Sequence, residues 1–300
     1  MVSPPLLKKG DKVGIVSPAG KVNQEKVFSA IELLKDWGLD VSLGDSSLKS
    51  FHQFSGTDKE RAFDLQEMLD DKNIKAIFSS RGGYGTIRIL DQLDFTQFNK
   101  SPKWIIGFSD ITALHSYVNK LLNTESIHGA MPSTFPVSRD NNESIKSLKN
   151  LLFKGFLSYN LPESKFNRAG KSKAPLIGGN LSILYALSGT RYDINTSGKI
   201  LFIEDVGEYL YHLDRMMMNL KLSGKLNHLE GLIVGGFSDM KDNDDPFGKS
   251  PNEIIYEFLE KYDYPVAFSF PAGHMDTNLA LTFGRDIEFE VNKKGGTIKF

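Results

Sequence analysis

The chain contains no cysteine among its 300 residues. Disulfide bonds, thiolate metal sites and a cysteine nucleophile are therefore excluded. A surplus of charge is also missing, since 36 Lys and Arg face 37 Asp and Glu and the formal net charge is −1. Proteins that bind nucleic acid or an anionic membrane surface usually carry a basic excess. We therefore expect neither a nucleic acid nor a membrane among its partners.

Long apolar runs are missing as well. The N-terminal segment MVSPPLLKKGDKV has no apolar stretch of the kind found in signal peptides. No later run approaches the ~20 apolar residues that a membrane-spanning helix needs. We therefore expect a cytoplasmic protein. Its length allows one large domain or two ordinary ones.

The first half of the chain alternates between strand and helix patterns. Short apolar runs predict strands at 12–16, 39–43, 75–79 and 104–108. Apolar residues at helical spacing predict helices near 27–37, 58–69, 86–93 and 111–122. Strands separated by helices are typical of a parallel sheet covered by helices on both faces.

The second half has a different pattern. The polar stretch 162–174, rich in Lys, Asn, Ser and Gly, is the best candidate for a linker between a domain at 1–161 and another at 175–300. Beyond it, strands are predicted at 199–203, 231–237, 266–270 and 286–291, and helices at 211–222 and 252–262. This order indicates a second, mixed α/β domain with more antiparallel pairing.

Ser109 lies in the segment Gly107–Asp110, here called the serine elbow, between a predicted strand and a predicted helix. A strand-turn-helix elbow exposes a hydroxyl above the carboxyl end of a sheet, where open α/β sheets bind ligands. Amides at the start of the helix favour negative charge nearby. The alternative is that the serine only caps the helix. The segment does not match the G-x-S-x-G motif.

The segment Arg81–Gly85, here called the glycine loop, has the sequence Arg-Gly-Gly-Tyr-Gly and also follows a predicted strand. Glycines leave backbone amides uncovered and allow unusual φ angles. Such a loop suits the close approach of an anion or an oxyanion. A tight strand-to-helix turn with no ligand is the alternative reading.

Acidic residues and a histidine end two later strands. Glu204 and Asp205 follow an apolar strand, and Glu208 comes one turn later. Acids at a strand end are usually solvated, but a partly buried one would need a partner such as an imidazole. His274, in a Pro-Ala-Gly-His loop, is well placed for proton transfer. Five other histidines compete with it: His52, His115, His128, His212 and His228. None has H-x-x-x-H spacing, so no zinc site is expected.

Together these segments resemble the LD-carboxypeptidase family, which includes murein tetrapeptide carboxypeptidases and microcin C immunity peptidases. The resemblance runs over nearly the whole chain. In chain order, the matching segments are Ser17–Gly20, the glycine loop, the serine elbow, His128-Gly129, Gly178–Leu181, Leu201–Asp205 and Gly273-His274. Each segment is weak by itself, whereas their order and separation together are specific.

The resemblance implies a catalytic triad of Ser109 as nucleophile, Glu204 as charge-relay acid and His274 as general base. It also implies oxyanion-hole amides at Gly83 and Asp110. The order Ser, acid, His is independently that of α/β-hydrolases. Among the three nearby acids, only the family pattern prefers Glu204. No metal or organic cofactor is implied.

The resemblance further implies an α/β fold with a flavodoxin-like parallel-sheet N-terminal domain and a smaller C-terminal domain of swivelling β/β/α type. The family's active site lies between the two domains, and many members are dimers, so a homodimer is expected. Members cleave the amide between an L-configured centre and a terminal D-amino acid. In peptidoglycan recycling, this reaction removes D-alanine from a murein tetrapeptide.

Two rival functions are considered. The first is that of a microcin C-type immunity peptidase, which would cleave peptidyl-nucleotides or acyl-sulfamoyl adenylates. The 95 positions from Ser109 to Glu204 leave little room for extra recognition loops, which favours murein peptides. The second is a non-catalytic ligand-binding module, against which the intact Ser, Glu and His set argues. Arg81 and Gly82 are candidates for binding the substrate carboxylate, although a structural salt bridge explains Arg81 equally well.

Overall fold

The computed structural model describes residues 1–135 and 142–300. These residues form two compact units, one of 1–155 with 279–282 and one of 156–278 with 283–300. The division therefore comes before residue 161, where the sequence predicts the end of the first domain. The short return of 279–282 to the first unit has a physical basis, since Ala280, Leu281 and Thr282 are buried there.

The first unit is built on a mainly parallel sheet. Its strands in chain order are β1 (Lys12–Val16), β2 (Asp40–Leu43), β3 (Ile74–Ser79), β4 (Trp104–Gly107), β5 (Ser126–His128) and β11 (Leu281–Phe283). Its helices are α1 (Gln24–Asp36), α2 (Asp58–Asp70), α3 (Thr96–Lys100), α4 (Thr112–Leu121) and α5 (Glu143–Lys154). Within the described residues, the strand order is β2-β1-β3-β4-β5-β11, and the pairs from β2 to β5 are parallel. The order 2-1-3-4-5 is flavodoxin-like, which confirms the predicted fold class.

This strand order determines where a ligand can be bound. The order reverses at the adjacent strands β1 and β3, and open α/β sheets bind ligands beyond the carboxyl ends of the strands at such a point. The turn Ser17–Gly20 follows β1, and the glycine loop follows β3. The serine elbow spans the end of β4, the next strand along this edge. These three segments, and His128-Gly129 at the end of β5, therefore lie at the carboxyl end of one parallel sheet.

The second unit contains a mixed sheet. Its strands are β6 (Ser158–Leu161), β7 (Gly170–Asn180), β8 (Lys199–Val206), β9 (Leu229–Ser238), β10 (Val266–Ala267), β12 (Asp286–Asn292) and β13 (Gly295–Lys299). Its helices are α6 (Leu181–Leu187), α7 (Leu210–Leu222) and α8 (Pro251–Leu259). In the part of this unit that the structure describes, strands β10-β9-β8-β7 are parallel and β7-β12-β13-β6 are antiparallel. The predicted mixed character is confirmed.

The polar stretch 162–174 is not a linker throughout, because Gly170–Ala174 forms the start of β7 and pairs with β12. Its polar composition has a different cause. Lys171 and Lys173 project from the exposed face of the strand and form ion pairs with Glu290 and Glu288. A polar run and the solvent face of an antiparallel strand have the same composition, so the sequence pattern does not distinguish them.

Two further elements differ from expectation. The predicted helix at 86–93 consists of two 3-10 turns, Thr86–Arg88 and Leu90–Gln92. The Thr86 amide, at the start of the first turn, donates to the Asp110 carboxylate at 2.8 Å. This bond ties the start of the turn to the serine elbow. The predicted strand 266–270 ends at Ala267, because Ser269 has a φ of +61°. Among the described residues, no helix is long and apolar enough to cross a membrane.

Lys103 connects the core of the first unit to the end of α2. Its side chain is 1% exposed, and its Nζ donates to the carbonyl oxygens of Met68, Leu69 and Asp71 at 2.7–2.9 Å. Carbonyls at a helix C-terminus lack partners within the helix, so a cation placed there satisfies them. Burial lowers the pKa of Lys103 to about 8, with the charges of Asp71 and Asp70 acting in the opposite direction.

Replacing Lys103 by Met should destabilise the first unit by about 2 kcal/mol, because buried carbonyls lose a charged donor. Lys75→Met provides the matched control and should change stability little, because Lys75 is only partly buried and donates to the single carbonyl of Lys72. Both tryptophans, Trp37 and Trp104, belong to the first unit, so fluorescence during urea unfolding reports on it alone. Equal midpoints for the two variants would contradict this role of Lys103.

Candidate active site

Ser109 has a backbone conformation that is unusual for a side-chain-bearing residue. Its φ is +63°, and it opens a 3-10 turn that leads into α4. The N-cap positions of the turn and of α4 belong to Phe108 and Ile111, so the structure does not use Ser109 as a helix cap. Strained non-glycine residues persist where the surroundings over-determine them, and they cluster at active sites. The nucleophile elbow of hydrolases has this kind of strained strand-to-helix turn.

A buried histidine supports the elbow from behind. The Gly107 carbonyl accepts from the Nε2 of His115 at 2.9 Å, and the Nδ1 of His115 lies 2.9 Å from the Ser126 hydroxyl. Because a carbonyl can only accept, the proton of His115 is on Nε2 and Nδ1 accepts from Ser126. Burial lowers the pKa of His115 to about 4, so the ring is neutral at pH 7. His115 thus has a structural role.

The glycine loop packs directly against the elbow. A β-carbon on Gly82 would lie 2.8 Å from the Ser109 Cβ and 3.3 Å from the Asp110 amide nitrogen, so only glycine allows this contact. Gly83 follows with a φ of +99°. The carbonyl of Gly82 accepts from the Gly20 amide at 3.0 Å, which joins the loop to the turn after β1. The loop therefore lies close to the hydroxyl-bearing residue and to the amide of Asp110.

Asp110 contributes through its side chain as well as its amide. Its carboxylate is buried and accepts from the Thr86 amide at 2.8 Å, which holds the end of the glycine loop. Burial raises the pKa of Asp110, while the hydrogen bond from Thr86 and the charge of Arg61 act in the opposite direction. Arg81 is exposed, and its Nη1 donates to the Lys21 carbonyl at 2.7 Å. Binding of substrate by Arg81 and Gly82 stays a prediction.

In the second unit, the structure places Glu204 against His274. Glu204 lies in the buried part of β8 and is itself fully buried, and its Oε2 lies 2.7 Å from the His274 Nδ1. The same oxygen accepts from the His274 amide at 3.2 Å. Gly273 has a φ of +101°, and a β-carbon there would lie 2.6 Å from the Glu204 Oε2. The glycine before the histidine is thus required for the carboxylate to reach the imidazole.

The two other acids have different partners. The Asp205 carboxylate accepts from the Asn180 side chain at 2.9 Å and from the Ser182 amide at 2.8 Å. Glu208 binds the Nδ1 of His212 at 2.5 Å, one turn along α7. The structure therefore gives Asp205 and Glu208 hydrogen-bond partners other than the His274 imidazole. Contact with His274 therefore distinguishes Glu204 from its neighbours, which the sequence pattern alone does not.

The surroundings of His274 favour the protonated imidazole more than water does. Burial pushes the pKa of His274 down, but the hydrogen bond and charge of Glu204, helped by the charge of Asp205, outweigh it and raise the pKa. Burial, with the neighbouring charge of Glu204, raises the pKa of Asp205 to about 7. In the neutral ring, a carboxylate that only accepts places the proton on Nδ1, so Nε2 carries the lone pair of a general base.

Arg61, which contacts the glycine loop of the first unit, is not predicted as a functional residue from the sequence. Its side chain is fully buried, although it lies on a helix with a largely polar sequence. One signal is available in the sequence, since Arg61 shares helical spacing with the apolar Leu65 and Met68 and so occupies a position on the buried stripe.

In 1–135 and 142–300, no group of three or more His, Cys, Asp or Glu side chains is placed to hold a metal ion.

Comparison with known proteins follows the same division of the chain. Residues 13–129 match the model of the LD-carboxypeptidase N-terminal domain, and residues 173–289 match that of the C-terminal domain. The chain is 34% identical to a probable murein peptide carboxypeptidase of Bacillus subtilis, over 99% of this chain and 94% of that protein.

Solved structures show the same fold. A muramoyltetrapeptide carboxypeptidase from Oxalobacter formigenes superposes with a TM-score of 0.87 at 27% identity, covering 96% of this chain and 98% of that one. The microcin C7 self-immunity protein MccF in its wild-type apo state superposes with a TM-score of 0.89, covering 100% and 99%. Its identity is 24%, so this likeness shows the fold alone. On the two domain models and the relative from Bacillus subtilis, the chain belongs to the LD-carboxypeptidase family of serine-type peptidases.

Proposed function

We propose that this enzyme releases D-alanine from a murein tetrapeptide, with Ser109, Glu204 and His274 as its catalytic triad. The observation that carries the proposal is the 2.7 Å contact between the Glu204 carboxylate and the His274 Nδ1. A buried acid that orients an imidazole is the device by which serine hydrolases prepare a general base. The strained elbow at Ser109 supplies a nucleophile in the first unit.

The first half of the reaction forms an acyl-enzyme. The Ser109 hydroxyl oxygen attacks the carbonyl carbon of the L,D-amide while the His274 Nε2 takes its proton. Glu204 accepts from Nδ1 and stabilises the imidazolium that results. The imidazolium then gives its proton to the amide nitrogen, the C–N bond breaks, and D-alanine leaves.

The second half restores the enzyme. Water loses a proton to the His274 Nε2 and attacks the ester carbonyl carbon, and the imidazolium returns that proton to the Ser109 oxygen as the C–O bond breaks. The tripeptide leaves with a new carboxylate. Both halves pass through an oxyanion, which we assign to the amides of Gly83 and Asp110, since preorganised amide donors stabilise such charge.

Murein peptides are favoured over peptidyl-nucleotides by the relatives. The Bacillus subtilis protein and the Oxalobacter formigenes structure bear murein names, whereas the microcin C7 self-immunity protein shares the fold at lower identity. Membership of a peptidase family also makes a non-catalytic binding module the wrong class. The cytoplasmic location and the homodimer stay predictions.

Replacing Glu204 by Gln should lower kcat on the order of 10⁴-fold, because the amide no longer holds His274 in the productive tautomer. Glu208→Gln, which removes the partner of His212 instead, is the matched control and should leave kcat close to the parent value. Steady-state kinetics on the tetrapeptide measure both. A larger loss in the Glu208 variant would move the charge relay to that residue.

The pH profile should show the raised pKa of His274. The base must be neutral, so kcat/KM of the parent should fall on acidification with a midpoint above the ordinary histidine value of 6.5. Glu204→Gln removes the group that raises this pKa, while burial continues to lower it, so the midpoint of its residual activity should move to lower pH. An unchanged midpoint would separate Glu204 from the titrating base.

The configuration of the C-terminal residue and its free carboxylate should both affect the rate of cleavage. A tetrapeptide ending in D-alanine should be cleaved to the tripeptide, while the L-alanine peptide and the C-terminal amide should be cleaved poorly. A site built around hydrogen bonds to a carboxylate can discriminate by roughly 10⁴-fold when that group is missing. The wrong hand also displaces the scissile carbonyl from the nucleophile, which is costly. Mass spectrometry over a time course on the three peptides measures this.

The protein carrying Ser109→Ala controls for contaminating peptidases. Equal rates on the three peptides would indicate a general amidase and contradict the proposal. Turnover of a peptidyl-adenylate mimic without cleavage of any murein peptide would instead assign the protein to the microcin-type function.

A further inference from the structure

Arg61, on α2, joins segments that are distant in sequence. Its Nη1 donates to the Pro18 carbonyl and to the Gly85 carbonyl, the latter at 3.0 Å. Its Nη2 donates to the Asp58 carboxylate, and its guanidinium carbon lies 5.0 Å from the centre of the Phe54 ring. One buried side chain thus connects the turn after β1, the glycine loop and the helix that carries it.

The contact with the Gly85 carbonyl holds the glycine loop at its last residue, and the contact with Pro18 joins it to the turn after β1. A β-carbon on Gly85 would lie 2.8 Å from the Arg61 Nη1, so this approach depends on glycine, whose φ here is +137°. The Gly20 amide binds the Gly82 carbonyl near the start of the loop. The Asp110 carboxylate binds the Thr86 amide immediately after it. The Gly83 amide lies inside the segment that these contacts define.

Stability alone is a poor explanation for such an arrangement. Burying a guanidinium is costly, and a buried ion pair is weak evidence for stability, because apolar residues of similar volume often replace one without loss. Asp58, the acidic partner of Arg61, also forms an ion pair with Arg88. The planar guanidinium, by contrast, fixes the directions of the two N–H bonds of Nη1, and Asp58 holds the group through Nη2, so Nη1 can set the separation of the two carbonyls that accept from it.

We propose that Arg61 is a positioning residue for hydrolysis. It sets the spacing between the turn Ser17–Gly20 and the glycine loop, and so keeps the Gly83 amide aligned with the oxyanion that forms at Ser109. The inference rests on the proposed function, because it concerns the oxyanion of that reaction. Arg61 itself contacts carbonyl oxygens rather than reacting atoms.

The test compares Arg61→Met with Arg88→Met. Arg88 also binds Asp58 and also lies over the Phe54 ring, at 5.7 Å, but its side chain is 46% exposed and is not part of the proposed support. Kinetics are measured on the D-alanine tetrapeptide, and rates are expressed per serine titrated with a fluorophosphonate, so unfolded protein does not count as slow enzyme.

Arg61→Met should lower kcat on the order of 10²-fold with KM within about twofold, since loss of one oxyanion donor has an effect of that size. Arg88→Met should keep the parent kcat. Arg61→Lys keeps the charge but neither the fixed N–H directions nor a second nitrogen for Asp58, so we expect a loss on the order of tenfold and only partial rescue. If the Met variant does not fold, the Lys variant decides, and a parental kcat in folded Arg61→Lys would overturn the proposal.

A second readout separates positioning from general damage. A tripeptide boronic acid forms a tetrahedral adduct with the serine, whereas the tripeptide product forms none. Arg61→Met should bind the boronic acid on the order of 10²-fold more weakly and the tripeptide as the parent does. Equal weakening of both ligands, or of neither, would overturn the inference.

The parent enzyme distinguishes the two levels of proposal. If the parent cleaves the tetrapeptide and Arg61→Met matches Arg88→Met, only the role of Arg61 is lost. If the parent cleaves no murein peptide, the proposed function fails and this inference fails with it.

Discussion

The contact between the buried Glu204 carboxylate and the His274 imidazole is the interaction on which the proposed chemistry of this protein depends. A charged carboxylate inside a protein needs a partner, and here an imidazole at 2.7 Å and a backbone amide at 3.2 Å provide one. The geometry requires a strand that buries Glu204 near its end and a glycine at 273 that lets the next residue approach. In the proposed reaction, the mixed sheet of the second unit therefore positions the general base as well as forming the scaffold.

The first unit carries the proposed nucleophile and oxyanion donors, and glycines and buried polar groups position these as well. A nucleophile is useful only when an oxyanion formed on it meets donors that are already in place. The left-handed conformation of Ser109 and the glycines that pack against it put backbone amides where side chains would otherwise stand. Their position depends in turn on buried groups behind them, His115 under the elbow and Arg61 under the loop. The proposed oxyanion site thus depends on two buried polar side chains that each donate to backbone carbonyls.

Sequence patterns predict most of the first unit because its signals are local. Apolar runs mark β1, β3 and β4, and helical spacing marks α2. The family resemblance selects Ser109, Glu204 and His274 by their order. The patterns cannot predict which side chains distant in sequence come into contact. Glu204 and Asp205 are equivalent in the sequence pattern, but in the structure Glu204 contacts His274 and Asp205 contacts Asn180. The burial of Arg61 is hidden in the same way, since its acceptors Pro18 and Gly85 are far from it in sequence.

Nitrogen-15 NMR of the His274 ring is the most direct test of the central interaction. A histidine held by a buried carboxylate should titrate with a pKa above 6.5 and should show a Nδ1 proton at low field, and Glu204→Gln should abolish both features. Below that pKa both nitrogens are protonated, and above it the proton should stay on Nδ1. A ring that titrates below 6.5, or that keeps its proton on Nε2 when neutral, would contradict the account.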